Sequence, residues 1–288
     1  MKFRALPLLL ATFLAASPAL AQKAKGKHSF AVIGHVAGDE ALLERALSDL
    51  VETTPAFIVT NGIKGANEPC SDKLYARRRE LLEEQPRPVV VSLAASDWSE
   101  CRNSAGRTAA IERLNRVREL FFAEDKTLGK RTLDVTRLSL TAKFRSYAEN
   151  AMWEVGPVMY ATVNVPINNN HYLREAGRNS EFEDRLVANR AWLQRLFVLA
   201  RRNKKEGLVI FSEGDLSKPA VGDGFDAPRK QIAAAAEKFG GKVLLVDSAG
   251  GTTGELHWQG KVGRIGVGSK PIEIRVTPRT PTLFSLPE

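Results

Sequence analysis

Beyond its first twenty residues the sequence has no apolar run long enough to span a bilayer, so no later transmembrane helix is expected. No cysteine follows the opening apolar run, which argues against a lipid-anchored start. No Gly-x-Ser-x-Gly elbow and no Gly-x4-Gly-Lys-Ser/Thr phosphate loop occur, so an α/β-hydrolase serine and a P-loop nucleotide site are excluded. Gly263-Arg-Ile-Gly266-Val-Gly268 is rich in glycine but lies in a strand-like run with no helix after it, so it is not a dinucleotide fingerprint. There is no internal repeat and no low-complexity block. His257 and Trp258 stand apart from any motif.

What is present begins with a leader pattern. Lys2 and Arg4 precede an apolar stretch from Leu6 to Ala16, broken at Ser17-Pro18 and followed by the small-x-small site Ala19-Leu20-Ala21. The apolar part is too short for a spanning helix, so cleavage after Ala21 and secretion, in a bacterium to the periplasm, are expected. The domain reading is a signal peptide over 1–21, a basic linker over 22–29 and one large domain over 30–288. The whole chain carries a net charge of +9; loss of Lys2 and Arg4 lowers it to +7. That balance suits a soluble protein that meets anionic partners, but charge alone names none. The linker Lys23-Ala-Lys-Gly-Lys-His28 lacks the aromatic residues of single-strand binders, and no nucleic acid is expected. Arg185, Arg190, Arg195, Arg201 and Arg202 read as a solvated face of one long helix. Two cysteines, Cys70 and Cys101, in an exported chain invite a disulfide, and closing that loop adds roughly 3–4 kcal/mol.

Short β-rich runs alternate with helical periodicity. The runs are Phe30–Gly34, Ala56–Thr60, Pro88–Leu93, Val158–Val165, Gly207–Phe211, Lys242–Val246, Val262–Val267 and Ile272–Val276. The last two alternate and read as a hairpin. Ile111, Leu114, Val117 and Leu120/Phe121 share one helical face, and Leu186, Trp192/Leu193, Leu196/Phe197 and Ala200 share another. Alternating strands and helices imply a largely parallel α/β sheet, and two sheets packed face to face with helices outside would use every run. Segment 123–157 has weak periodicity and reads as an excursion across one face.

Ligands in open α/β sheets sit beyond the carboxyl ends of the strands. Those loops read Gly34-His35-Val-Ala-Gly-Asp39, Thr60-Asn61-Gly62, Ala94-Ala95-Ser96-Asp97-Trp98, Pro166-Ile-Asn168-Asn169-Asn170-His171, Ser212-Glu213-Gly214-Asp215 and Asp247-Ser248-Ala249-Gly250-Gly251. Their order resembles the calcineurin-like metallophosphoesterases, in particular an exported bacterial branch, over nearly all of 30–286. The landmarks are Pro69-Cys70-Ser71-Asp72 with Arg77–Arg79, Asp97-Trp98-Ser99-Glu100-Cys101, and Arg113-Leu-Asn-Arg-Val-Arg-Glu-Leu-Phe-Phe122. Glu149-Asn150 with Trp153, Asn164-Val-Pro with Asn169-Asn170, and Ala188-Asn-Arg-Ala-Trp192-Leu193 complete them. The resemblance implies a four-layer αββα sandwich and a Cys70–Cys101 bridge. It also implies an ancestral pair of divalent cations on Asp, Asn and His at successive strand ends, activating water for phosphate-ester hydrolysis.

The sequence departs from that pattern at the ligands. The first strand ends in His35 followed by Ala37, where the family has Gly-Asp and a second ligand. The second ends in Asn61-Gly62, where the family has the bridging aspartate. The third loop gives Ala95-Ser96, and the late histidine loop is Asp247-Ser-Ala-Gly-Gly251. Surviving polar residues that could converge as a degenerate pocket are His35, Asp39, Asp97, Asn168, Asn169, Asn170, His171, Asp215 and Asp247, beside Asn61, Gly62 and Ser96. Equally, Asp39 caps a helix beginning near Glu40, Asp97 sits in a turn and the asparagines satisfy backbone groups. The expectation is a catalytically silent relative with no metal or cofactor, its pocket reused for a small anion or protein partner, or kept as scaffold. The alternatives are an active periplasmic phosphoesterase with two metals on an unusual set (His35, Asp39, Asp97, His171, Asp247), and a protein that binds anionic polymers.

Overall fold

The structure is a computed structural model that describes residues 26–34, 40–173, 179–217, 222, 224–250 and 253–287. Two mixed sheets lie face to face. The first has the order β12-β11-β1-β2-β3, from Phe284–Ser285 (β12), Ile272–Val276 (β11), His28–Ile33 (β1), Ile58–Asn61 (β2) and Val89–Ser92 (β3). The second has the order β4-β5-β6-β7-β8-β10-β9, from Thr136–Arg137 (β4), Ala151–Val155 (β5), Val158–Thr162 (β6), Gly207–Phe211 (β7), Lys242–Asp247 (β8), Val262–Gly266 (β10) and Leu256–Gln259 (β9). Helices α1 (Glu40–Asp49), α2 (Asp72–Glu83) and α3 (Ala110–Phe121) cover the first sheet, and α4 (Ser180–Arg202) and α5 (Asp226–Glu237) the second.

Residue alternation builds the layers, because successive side chains of a strand point to opposite faces. In β1, Ala31 and Ile33 pack against the helices while Phe30 and Val32 enter the space between the sheets. In β7, Leu208 and Ile210 meet α4 and α5, and Val209 and Phe211 face inward. β6 and β8 repeat the scheme, so these strands read as unbroken apolar runs buried on both sides. Phe30, Phe57, Tyr160, Trp153 and Phe211 form an inter-sheet aromatic cluster with ring centroids 4.8–6.5 Å apart. Each such ring contributes about 1.5–3 kcal/mol by burial. The architecture is the four-layer αββα sandwich. Cys70 and Cys101 are bridged, with their Cα atoms 5.8 Å apart, which ties the loop before α2 to the loop after β3. Among the described residues no helix is long and apolar enough to cross a membrane.

Four expectations are corrected. Val262–Val267 and Ile272–Val276 are not a hairpin: β10 runs parallel to β8 in the second sheet, and β11 runs antiparallel to β1 in the first. Alternation shows that a strand has two faces; it does not show which sheet it joins. The segment 123–157 contains β4 and β5, the latter paired antiparallel with β6. Ile111 is 49 % exposed, and the buried face of α3 is Ala110, Leu114, Val117 and Phe121. Arg185 is fully buried instead of solvated: its guanidinium donates to the Asn164 and Asn170 carbonyls, the Asn170 side chain and Glu181, which meets the cost of desolvation.

Candidate functional site

The carboxyl ends of β2, β3, β6, β7 and β8 gather along one rim of the sandwich. β2 ends at Asn61, whose side-chain Nδ2 donates to the Ser212 carbonyl (2.7 Å) across the gap between the sheets. Gly62 follows with φ 99°, a left-handed turn that favours glycine, and its N–H donates to Ser92 O (2.8 Å). The chain then rises to Ile63 and Lys64, whose N–H groups both donate to Asp97 Oδ1 (2.8 and 3.2 Å). Asp97 lies in the short 3-10 turn Ala95–Asp97 and is wholly buried; its Oδ2 accepts from Ala94 N (2.8 Å). Burial pushes the Asp97 carboxyl up to about 6, opposed by these three donors and by the Lys64 ammonium. Ser96 Oγ donates to Lys64 O (3.0 Å). Asp97 and Ser96 therefore knit the β2 and β3 loops together.

Glu213, which sequence reasoning did not single out, performs the same task between the sheets. It follows β7, is 4 % exposed, and its Oε2 accepts from Ala95 N (2.7 Å) and Ile167 N (2.8 Å). Burial pushes its carboxyl up to about 8, against those two donors and with the help of the Asp97 and Glu100 charges. Its position, first past the polar residue that ends a buried strand, was visible; its partners were not.

Asp215 and Asp247 meet a second unanticipated residue. Arg264 of β10 places its Nε 2.8 Å from Asp247 Oδ2 and 3.0 Å from Asp215 Oδ2, and its Nη2 2.8 Å from Asp247 Oδ1. Asp215 Oδ1 also accepts from Ser217 N and Oγ. Burial raises the Asp247 carboxyl while the Arg264 hydrogen bonds hold it down. A guanidinium thus stands between two carboxylates at the ends of β7 and β8.

The β6 loop is set apart. Asn169, Asn170 and His171 all have left-handed backbones, with φ of 53°, 54° and 56°. Such conformations cost about 1–3 kcal/mol each and persist only where the surroundings impose them. Here Asn169 Oδ1 accepts from Gly224 N, Asn170 Nδ2 donates to Gly224 O, and Arg185 holds Asn170 from below. The His171 ring packs edge-on against Trp98 at 5.0 Å, and burial lowers its pKa. Asn168 and Ser99 hydrogen-bond each other (3.0 Å). His35 and Asp39 lie outside the described residues.

The donor set was tested against two divalent cations. Among the described residues no three His, Cys, Asp or Glu side chains are grouped to hold a metal ion. Asp97 and Glu213 accept backbone N–H groups, and Asp215 and Asp247 are paired with Arg264. Of the buried side-chain oxygens at these strand ends that accept no hydrogen bond, Asn61 Oδ1, Ser92 Oγ, Asn164 Oδ1 and Ser248 Oγ are neutral, and the carboxylate oxygen Asp215 Oδ2 is ion-paired with Arg264 Nε (3.0 Å). Neutral oxygens do not supply the charge that a pair of dications requires, so the described residues do not fit a binuclear centre.

No family model and no curated protein matches the chain. Among solved structures, TT1561 of Thermus thermophilus aligns with 87 % of this chain and 94 % of its own length at 12 % identity, with a TM-score of 0.47. At that distance no residue role passes from one to the other, and the sandwich stands on the layers described above.

Proposed function

We propose that this chain is an exported, metallophosphoesterase-like protein that has given up hydrolysis and works by binding or as a scaffold, its strand-end rim facing a small anion or a protein partner in the periplasm. One observation carries this reading: Arg264 lies between Asp215 and Asp247, so the chain's own guanidinium neutralises the acidic groups that a metal would need. Gly62, with no side chain where the family's bridging carboxylate belongs, supports it from the sequence. Export is supported by the leader pattern and by the Cys70–Cys101 bridge, which an oxidising compartment sustains.

The test is elemental analysis of the secreted protein with assays on p-nitrophenyl phosphate and bis(p-nitrophenyl) phosphate, with and without manganese or zinc. The expected outcome is no stoichiometric metal and no turnover above the metal-only control. Two metals per chain together with metal-stimulated turnover would overturn the proposal and favour the active enzyme.

A further inference from the structure

A cavity of about 460 Å3 opens between α5 and the β9–β10 hairpin, on the helix side of the second sheet. It is within the range of small-molecule sites, about 300–1,000 Å3. Its lining is mixed: Leu216, Ile232 and Leu245, all buried, and the half-buried Val262 give it an apolar floor, and Ser217, His257, Trp258 and Gln259 stand around it. Two guanidinium groups stand against this apolar surface, Arg229 from α5 and Arg264 from β10, with Glu237 as the one carboxylate of the lining.

The two arginines differ in what they have left to give. Arg264 divides its charge between Asp215 and Asp247. Arg229 donates from Nη2 to Asp226 (2.7 Å), and its Nε is buried without a hydrogen-bond partner. A desolvated, unpaired donor on a charged group is costly, and Asp226 is already shared with Lys230 (3.0 Å). The Arg229 side chain is 22 % exposed, so the guanidinium can turn toward an acceptor brought in from outside. One incompletely paired guanidinium above a hydrocarbon floor asks for one negative charge on an apolar body. Asp215 and Asp247, behind Arg264, oppose a second.

We infer that this cavity binds an amphipathic monocarboxylate, its carboxylate paired with Arg229 and its hydrocarbon body lying on Leu216, Ile232, Leu245 and Val262. A carboxylate makes charge-assisted hydrogen bonds there, and the tail gains by leaving water. The cavity shares Arg264 with the strand-end clasp, but the inference rests on Arg229 and the apolar floor, and it holds whether or not the chain hydrolyses phosphate esters.

Titration calorimetry and thermal shift on the full secreted chain test it, with octanoate as the probe and 1-octanol and octylamine as its neutral and cationic counterparts. Octanoate is expected to bind saturably and raise the melting temperature, and the other two to bind about tenfold more weakly or less. Arg229→Met should bring octanoate down to the level of octanol and leave octanol unchanged; Asp226 keeps Lys230 in that variant. Ala233→Phe, at an exposed position of the cavity lining, should weaken octanoate and octanol alike and does not touch the core. No saturable octanoate binding, equal binding of octanol, or octanoate binding unchanged in Arg229→Met would each overturn the inference. Metal-dependent turnover of a phosphate ester would leave it standing.

Discussion

The two sheets close their strand ends by different chemistry. At β2 and β3, Asp97 is held by backbone donors alone, three N–H groups converging on one fully buried carboxylate. At β7 and β8, Asp215 and Asp247 are held by a side chain, the Arg264 guanidinium. Backbone donors are fixed in place by the fold and carry no net charge, so the Asp97 carboxyl is raised to about 6 by burial. A guanidinium brings full charge with it, and two aspartates tolerate each other only while it is there. The first arrangement fixes loop shape; the second settles an electrostatic conflict.

The sharpest way to break the contrast is Arg264→Met. Removing one partner from a buried charge cluster costs about 3–5 kcal/mol, because the charges left behind have no compensation. Adding Asp215→Asn and Asp247→Asn to that variant should restore most of the loss. Urea denaturation reads both, and a single variant within about 1 kcal/mol of the parent would show that the guanidinium settles nothing. Asp97→Ala should cost somewhat less, about 2–4 kcal/mol, by leaving the N–H groups of Ala94, Ile63 and Lys64 without an acceptor. Asp97→Asn keeps one accepting oxygen and should lose less than half as much; equal losses would mean that charge, not acceptance, matters there.

The smallest effect is a pH slope. Glu213 rises from an ordinary 4.5 to about 8, and Asp97 from 3.8 to about 6, so over that interval the folded chain holds protons that the unfolded chain has released. Their contribution is complete below about pH 4 and is lost as pH climbs to about 8. The lowered imidazoles of His28 and His171 act in the opposite sense below 6.5. The comparison is therefore between parent and Glu213→Gln. The variant should show a flatter profile and exceed the parent by on the order of 1–2 kcal/mol near pH 8. Parallel profiles would remove Glu213 from the explanation.

How much of this was legible varied with the kind of information. Strands buried on both faces announce themselves: Gly207–Phe211 stands as read, Phe30–Gly34 becomes His28–Ile33 in β1, and Lys242–Val246 runs on to Asp247 in β8. Sheet membership was not legible for β10 and β11, because it depends on partners far away in the chain. Arg185 departs from its reading for a related reason: arginine at a helical position signals solvent unless acceptors wait in the interior, and while Glu181 sits one turn back on the same helix, Asn164 and Asn170 come from the segment after β6. At the site, the sequence itself shows Gly62 and Ser96 where the resemblance leads one to expect ligands. Glu213 and Arg264 could not, since what distinguishes each is the company it keeps across two sheets.

The pairing of β1 with β11, from His28 against Val276 to Val32 against Ile272, sets an order of events. The strand made first has one flank unprotected until nearly the last strand arrives. For a polypeptide delivered amino end first through a narrow channel, this delays completion of the first sheet until almost the whole length has emerged. On the export route proposed above, the chain would stay threadable while it travels and gain its finished shape on the far side, where the thiols of Cys70 and Cys101 would be oxidised.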